Sequence, residues 1–541
     1  MQESRYDYVI VGAGSAGSVL ANRLSDGGRH SVLLLEAGRP SHPWSRIPVG
    51  FAKLIDNPRA NWLYSSEPDE GSGRRRIPVP RGKLLGGSSS INGMVFVRGQ
   101  AQDFDHWAQL GNRGWSYQDV LPFFKSMERY DGGDDAYRGR SGPLRVTEPR
   151  EGGPLYDALF AAAGEIGIQR SPDYNGASQD GIGLTQATIQ RGRRMSTARC
   201  YLDPARGRSN LEIVTDALAE RLVLEGGRCT GVRYSRNAMP FQAHATREVI
   251  VSAGSINSPQ LLELSGIGQA GLLRELGIEP VHELPGVGEN LRDHYAPRMK
   301  WAVTRRGVTY NDLARGIGMV RQVLRYGLKG EGFLALPASP VRAYVRTREG
   351  LDSPDVGMSI MPFLIGRNMN IADQRGLTLI THVLRPDSIG SIHLASADAA
   401  DPPTIRFNFL STVDDRTKLL AAMRIARDWM GAPALEGFVG EEIAPGVSRA
   451  GDEELLDWVR QTAETTYHPV GTCKMGSDPM AVVDDRLRVH GLAGLRVVDA
   501  SIMPTLTSGN TNAPSIMIGE KAARMILEDA DAGVDHAARA A

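Results

Sequence analysis

Short uninterrupted runs of apolar residues alternate with amphipathic stretches through the first part of the chain. Residues 8–11 form one such run ahead of Gly12, and residues 32–35 form another ahead of Glu36. Continuous apolar runs of this length are typical of parallel strands that are buried on both faces. Because apolar residues recur at helical spacing between the two runs, the pattern predicts a strand, a turn, a helix and a second strand.

The predicted turn carries glycine at three positions, Gly12, Gly14 and Gly17. We expect the missing side chains of Gly12 and Gly14 to let a pyrophosphate approach the amides at the helix start, where the helix dipole favours anions. Gly17 lets the helix pack close to the sheet, and Glu36 is placed to accept ribose hydroxyl groups. The pattern predicts a dinucleotide site, and the alternative is a glycine-rich turn without a ligand.

The same α/β pattern returns in the middle of the chain and near its end. Residues 248–254 predict another buried strand with a helix after it at 255–268, and residues 495–499 predict a strand that ends in Asp499. Three further strand-like runs predict an antiparallel sheet in a second lobe: residues 342–346, 377–384 and 391–394.

These elements define an α/β fold class with a Rossmann-like nucleotide-binding domain around a parallel sheet, plus a second lobe with an antiparallel sheet and helices. Two lobes are expected because 541 residues exceed one ordinary core. Residues 5–300 are expected to form the nucleotide-binding part, with residues 101–195 contributing to the substrate lobe. Residues 301–480 would form most of the substrate lobe, and residues 481–530 would return to the nucleotide-binding domain.

Composition removes several classes of function. Lysine plus arginine and aspartate plus glutamate both number 62, so no net charge attracts nucleic acid. Three scattered cysteines favour a reducing compartment over a disulfide framework or a zinc site. The first strand begins too close to Met1 for a signal peptide, and no apolar run is long enough to span a bilayer. We therefore expect a cytoplasmic protein without a resident metal.

One helix could alter the expected location. Residues 311–336 contain a basic amphipathic helix with Arg315, Arg321, Arg325 and Lys329. Because the whole chain is neutral, we expect a solvated helix of the second lobe, with a peripheral contact to the inner membrane as the alternative.

Two later segments favour an extended flavin nucleotide over a nicotinamide nucleotide. The loop at residues 82–99 places Ser88 and Asn92 where a hydroxyl and an amide can donate to a second cofactor group, although an ordinary serine-rich turn is the alternative. Asp499 and the next amides can face a ribityl chain, and a helix that starts near Pro514 points its amino terminus at the same place. FAD fits this arrangement better than NAD.

Five segments together resemble the glucose–methanol–choline (GMC) family of FAD-dependent alcohol oxidoreductases, most closely its bacterial choline- and alkanol-dehydrogenase branch. They follow the family order over essentially the whole chain: the glycine turn and residues 82–99, 254–268, 468–476 and 495–520. The FAD-binding residues that we assign with this resemblance are Gly12, Gly14, Ser15, Ala16, Gly17, Glu36, Ala37, Arg81, Gly86, Gly87, Ser88, Asn92, Gly93, Met94, Val95, Ala219, Ala253, Gly254, Asp499, Ala500, Asn512 and Ala513.

The resemblance implies that His468 is the catalytic base and that Asn512 is its partner. Oxidation of a primary alcohol to an aldehyde removes the hydroxyl proton while the carbon-bound hydrogen leaves as hydride to flavin N5, and a neutral imidazole can take that proton. The amide of Asn512 would stabilise the developing charge on oxygen. His294, by contrast, is expected to be a structural hydrogen-bonding histidine. The alternatives are a non-redox lyase of the same fold, like the family's hydroxynitrile lyases, and a flavin-binding sensor without catalysis.

The chain departs from the family pattern at two places. Relatives that oxidise choline carry an acidic residue near the position of Pro340, whereas this chain has Pro340 and, two residues later, Arg342. An arginine repels a quaternary ammonium, so a neutral primary alcohol is the expected substrate. Some relatives attach FAD to a histidine where this chain has Ile91, so non-covalent FAD is expected. Oxygen and a quinone-like molecule both remain open as electron acceptor.

Overall fold

The structure is a computed structural model that describes residues 2–149, 152–365 and 371–540. The helices of this described part, α1 to α12 in chain order, are Ser15–Leu24, Ala101–Gln109, Tyr117–Met127, Pro154–Glu165, Asp203–Ala205, Gly254–Leu264, Ala270–Glu275, Tyr310–Leu313, Gly316–Lys329, Val413–Met430, Asp452–Thr462 and Asn512–Ala540. Its strands, β1 to β25, are Gln2–Val11, Val32–Leu35, Tyr64–Ser65, Pro78–Val79, Glu128–Arg129, Leu144–Arg145, Gly181–Leu184, Ile189–Gln190, Arg193–Arg194, Leu211–Val214, Ala217–Glu225, Arg228–Arg236, Met239–Val251, Ile267–Gly268, His282–Glu283, Tyr295–Ala296, Arg298–Val303, Val341–Val345, Val356–Met361, Gly376–Val383, Ser391–His393, Thr404–Arg406, Val439–Ala444, Glu464–Thr465 and Leu495–Val497.

The first large sheet has seven strands in the order β10-β2-β1-β13-β12-β11, with β25 paired to β13 beyond this path. The strands β10, β2, β1, β13 and β25 are parallel, whereas β11 to β13 form an antiparallel extension. The apolar runs of β1, β2 and β13 are buried on both faces, and α1 packs beside α12. This confirms the Rossmann-like part of the predicted fold class.

The carboxyl ends of the parallel strands lie at one edge of this sheet. Val11, Leu35, Val251 and Val497 end β1, β2, β13 and β25. In open α/β sheets, ligands bind at this edge, because the loops and helix starts that follow the strands converge there.

The second large sheet has six strands in the order β23-β17-β20-β19-β18-β7, and the pairings described for it are antiparallel. One face is apolar: Val341, Ala343, Met358, Ile360 and Leu379 belong to a single buried cluster. On the other face, Arg342 lies opposite Ser359, Ser359 opposite Ile380 and Ile380 opposite Arg298. Side chains alternate across a strand, so four neighbouring strands present one continuous row on this face.

Two predicted elements differ from the structure. The helix expected to reach residue 268 ends at Leu264, because Gly266 adopts φ 80° and turns the chain into β14. The strand expected at residues 391–394 is present as β21, but it pairs with β22 in a separate two-stranded sheet. The antiparallel sheet of the second lobe is instead completed by β7, β17, β19 and β23.

The helix α9 places its apolar side chains on the outside of the second lobe. Ile317, Val320, Val323, Leu324 and Leu328 are between 50% and 82% exposed. Among the described residues, no helix has both the length and the apolar composition needed to cross a membrane.

Candidate active site

A single long cavity lies between the edge of the first sheet and the polar face of the second. It contains about 2750 Å³ free of protein atoms, including the part that opens to solvent. The residues that line it run from Glu36 near the glycine turn to His468 at the other end.

The glycine turn after β1 forms one wall of this cavity. Gly12 has φ 100°, and a Cβ atom on it would lie 2.4 Å from the carbonyl oxygen of Ser252. A Cβ on Gly17 would lie 1.9 Å from the carbonyl oxygen of Gly12, whereas one on Gly14 would meet nothing closer than 4.0 Å. Gly12 and Gly17 are therefore needed for packing within the protein, and Gly14 borders open space at the uncapped start of α1.

Glu36 is buried at the end of β2 and lines the cavity. Its carboxylate accepts hydrogen bonds from the backbone N–H groups of Ala13, at 3.0 Å, and Gly38, at 2.8 Å. Burial raises the pKa of Glu36 to about 7, against the opposing effect of these two hydrogen bonds. The carboxyl group is thus held rigidly beside the glycine turn and still faces the cavity.

Asp499 follows β25 and joins it to α6. One oxygen accepts hydrogen bonds from the Gly254 N–H at 2.8 Å and the Ser258 hydroxyl at 2.6 Å. The other oxygen accepts from the Ser501 N–H at 2.8 Å. The carboxylate therefore organises the start of α6 as well as lining the cavity, and its expected contact with a ribityl chain stays a prediction.

The loop after Gly86 supplies a third wall. Asn92 Oδ1 accepts hydrogen bonds from the Met94 N–H at 3.0 Å and from the buried Arg194 guanidinium at 2.7 Å. These two bonds fix the orientation of the amide, and its Nδ2 group is left to donate into the cavity. Ile91 also faces the cavity and has no nucleophilic atom.

At the far end of the cavity, His468 lies in a cluster of hydrogen-bonding side chains. Its Nε2 atom is 2.8 Å from Nδ2 of Asn510, and its Nδ1 atom is 3.0 Å from Nδ1 of His294. The Thr466 hydroxyl is 2.8 Å from the same Nδ1. Asp293 accepts hydrogen bonds from the backbone N–H groups of both histidines, which fixes the two segments relative to each other.

These contacts determine which nitrogen of His468 carries the proton. The carbonyl oxygen of Leu384 only accepts, so the contact of 2.8 Å to His294 Nε2 requires a hydrogen on that nitrogen. Burial lowers the pKa of His294 to about 4, so the ring is neutral at pH 7 and its Nδ1 atom is an acceptor. His468 must then donate from Nδ1, which leaves a lone pair on Nε2.

The surroundings of His468 keep its ring neutral. Burial is the largest cause that lowers the pKa of His468 well below its usual value, followed by nearby His294, His382, Arg342 and Arg81. A base must be unprotonated before it can accept a proton, so this environment suits proton abstraction at Nε2.

Most of the residues predicted for the site line the cavity together. Those that do not are Gly17, Gly86 and Ala513, which lie behind its wall. His468 lines the cavity, and the amide beside its Nε2 atom belongs to Asn510 and not to Asn512, the predicted partner. Asn512 begins α12 and accepts a hydrogen bond of 2.8 Å from the Ser15 hydroxyl, at the cofactor end.

Sequence reasoning also missed the structural partners of the site. His294 was expected to be a hydrogen-bonding histidine, and it is, but its partner is the candidate base itself. The sequence signal for Asn510 was its position within the same glycine- and asparagine-rich segment as Asn512. Arg194 and His382 had no local sequence signal, because folding brings them to the site from distant strands.

The fold and the cavity together define the class: an α/β protein with a Rossmann-like domain whose glycine turn lines one end of a cavity and a buried histidine the other. Comparison with family models gives a match to GMC oxidoreductase over residues 6–296 and again over residues 386–519. The chain belongs to the GMC oxidoreductase family, and it is an FAD-dependent enzyme that acts on CH–OH donors.

Known proteins resemble the chain over nearly its whole length. An oxygen-dependent choline dehydrogenase from Rhizobium johnstonii is 44% identical over 528 residues, covering 96% of this chain and 95% of the relative. Pyridoxine 4-oxidase from Mesorbium loti superposes with a TM-score of 0.86 at 32% identity, covering 96% of this chain and 98% of that structure. A formate oxidase gives a TM-score of 0.91 at 26% identity, with 98% and 99% covered.

The residues of the cavity fit FAD. Gly14 leaves space for a diphosphate at a helix start whose N–H groups no side chain caps. Glu36 retains acceptor capacity for ribose hydroxyl groups, and Asn92 presents amide hydrogens further along. These donors and acceptors line the same cavity.

Proposed function

We propose that the protein oxidises a primary alcohol to an aldehyde, with His468 as the base that accepts the hydroxyl proton at Nε2. The observation that carries this proposal is the tautomer set by the contacts of His468: Nδ1 donates to His294, so the lone pair lies on Nε2, where it accepts a hydrogen bond from the Asn510 amide. A small-molecule alcohol is the substrate class that such a base serves.

The chain's own residues account for the proton. The hydroxyl proton of the substrate moves to His468 Nε2, and Nδ1 keeps its hydrogen against His294. Asn510 Nδ2 donates to Nε2 in this structure, so its N–H would turn to the substrate oxygen as the substrate proton takes its place on Nε2 and negative charge develops on that oxygen. Bound FAD supplies the acceptor for the hydride that leaves the alcohol carbon.

The names of relatives support oxygen as one candidate for the electron acceptor. Relatives that share up to 44% identity are named oxygen-dependent choline dehydrogenases, and a quinone-like acceptor is the alternative. Oxygen consumption and quinone-analogue reduction by the alcohol-reduced enzyme would distinguish the two acceptors.

Anaerobic mixing of the purified enzyme with alcohols tests the reaction. An alcohol substrate should bleach the flavin absorbance, and the His468→Ala enzyme should keep FAD while reducing it on the order of 10²- to 10⁴-fold more slowly. A lyase of the same fold would leave the flavin oxidised. Wild-type reduction rates in the His468→Ala enzyme would show that this histidine is not the base.

We also propose that FAD is held without a covalent bond. Ile91 faces the cavity at the position where some relatives carry a linking histidine, and its aliphatic side chain cannot bond to the flavin. Acid precipitation should release the yellow chromophore into the supernatant. Added mass on the peptide that contains Ile91 would contradict this.

A peripheral membrane contact is proposed for α9. Besides its exposed apolar residues, the same helix carries Arg321 and Lys329 and has no acidic residue of its own, whereas Arg325 pairs with Glu331 just beyond the helix. Such a face suits the interface of an anionic bilayer, where each basic residue contributes about 1 kcal/mol to the free energy of membrane binding. Leu324→Glu should reduce sedimentation with anionic phospholipid vesicles, whereas the matched control Met239→Glu, at an exposed residue elsewhere, should not. Equal sedimentation of both variants would contradict the proposal.

A further inference from the structure

The substrate end of the cavity contains a buried cation that the proposed proton transfer does not use. Arg342 lies on β18, is 3% exposed and lines the cavity. Its neighbour across the sheet is Ser359, and both side chains belong to the polar face. The next polar-face position on β20 beyond Ile380 is His382, whose ring centre lies 4.7 Å from that of His294. Arg342 therefore shares a wall with the cluster around the base.

Arg342 has no carboxylate partner among the described residues. Its Nε atom donates to the hydroxyl of Tyr344 at 3.1 Å, and no hydrogen bond or ion pair within the described ranges involves its two terminal nitrogens. A buried guanidinium without a counter-charge is costly, because burial removes its hydration. Its planar nitrogen pair matches the two oxygens of a carboxylate.

The other two arginines of this cavity wall differ from Arg342. Arg298 lies in the same row but forms an ion pair with Glu464 at 2.6 Å. Arg81 donates to the backbone carbonyl groups of Pro80 and Tyr467, each at 2.6 Å. Among the described arginines that line the cavity, Arg342 is the one with neither terminal nitrogen in a hydrogen bond or ion pair.

We infer that Arg342 binds an anionic group of the substrate, so that the preferred substrate is a primary alcohol that also carries a carboxylate. The inference rests on the proposed alcohol oxidation and specifies its substrate class. A carboxylate would pair with the guanidinium while the hydroxyl group reaches His468, since both residues line one cavity. Choline carries the opposite charge and would be placed against this cation.

The experiment compares matched alcohols in the FAD-loaded enzyme. Anaerobic flavin reduction is measured with an ω-hydroxyalkanoate, the uncharged alcohol of the same length, the corresponding hydroxyalkyl phosphate, and choline. We expect the hydroxyalkanoate to have the highest specificity constant and choline the lowest. If the hydroxyalkyl phosphate has a higher specificity constant than the hydroxyalkanoate, Arg342 still binds an anion, and that anion is a phosphate rather than a carboxylate. A neutral alcohol preferred over both anions would overturn the inference.

Variants assign the preference to one residue. Arg342→Met should reduce the ratio of hydroxyalkanoate to neutral alcohol by about 30-fold or more, the usual effect of truncating one partner of a buried charge pair. Arg298→Met is the matched control, because Glu464 already balances that charge, and it should change the ratio less. An unchanged ratio in Arg342→Met, or loss of FAD from that variant, would contradict a role in substrate binding.

A binding measurement separates this inference from the proposed reaction. A simple alkanoate has no alcohol group, so its affinity, measured from the perturbed flavin absorbance, does not depend on catalysis. We expect binding to the wild type and weaker binding to Arg342→Met. If alkanoates bind in this way but no alcohol reduces the flavin, the alcohol oxidation is wrong and the anion site stands. If alcohols reduce the flavin without any effect of Arg342, the inference alone is wrong.

Discussion

The two ends of the cavity are built from different parts of the chain. At the cofactor end, backbone that follows the carboxyl ends of the parallel strands forms the wall at Gly14, and the side chain of Glu36 lies beside it. At the substrate end, the wall is a row of side chains across antiparallel strands, of which Arg342 and Ser359 are neighbours. Backbone N–H groups at a helix start recognise phosphate groups in general. The ligand preference of a wall made of side chains can change through single substitutions.

The largest expected effect tests the backbone wall. Gly17→Ala should prevent folding or lower stability by more than about 3 kcal/mol, because its Cβ would lie 1.9 Å from the Gly12 carbonyl oxygen and α1 would have to move. Gly14→Ala is the matched variant, since its backbone has φ −74° and its Cβ meets no atom closer than 4.0 Å. It should fold and bind FAD more weakly.

Thermal unfolding of both variants, with FAD removed and with FAD added, separates these outcomes. Gly17→Ala should have a lower melting temperature than the wild type even without FAD. Gly14→Ala should match the wild type without FAD, and its melting temperature should rise less when FAD is added. If Gly14→Ala were the less stable of the two without FAD, the assignment of packing to Gly17 and cofactor approach to Gly14 would be wrong.

The same contrast explains what the sequence predicted. The cofactor end follows a local rule: apolar strand, glycine turn and terminal acid occur within 36 residues of the start, so β1, α1, β2 and Glu36 were predicted. The substrate end follows no local rule, because strand pairing brings residues such as Arg342 and His382 together from separate segments. The partners of His468 were misassigned for the same reason.

Asn510 and Asn512 show that sequence can predict a segment and still leave open which of its residues reaches the site. Asn510 and Asn512 are two residues apart, and both types fit a donor beside a base. Only the turn before α12 decides that Asn510 contacts His468 and that Asn512 contacts Ser15 instead. The sequence predicted the segment and the amide chemistry, and the backbone path selected the residue.

The second prediction tests this selection. Asn510→Ala should retain FAD and slow flavin reduction by about 10²- to 10³-fold, the usual effect of losing one donor to a developing oxyanion. Asn512→Ala removes the acceptor of the Ser15 hydroxyl, so it should weaken FAD binding more than it slows reduction. Rapid-mixing rates and FAD titrations measure the two effects. A larger loss of reduction rate in Asn512→Ala would restore Asn512 as the partner of the base.

The smallest expected effect concerns the charge of Arg342 on the base. Burial, His294, His382, Arg342 and Arg81, in that order, lower the pKa of His468. A nearby cation disfavours the protonated ring, so Arg342→Met should raise the pKa of His468 towards 6.5.

This shift has a definite sign in a pH profile. The unprotonated base predominates above its pKa, so the pH at which flavin reduction by an uncharged alcohol declines should be higher in Arg342→Met than in the wild type. Arg298→Met is the control, because Arg298 pairs with Glu464 and is not among the charges that lower this pKa. An unchanged or lower apparent pKa in Arg342→Met would show that this guanidinium acts too far from His468 to influence it. The substrate wall would then recognise its ligand without tuning the base.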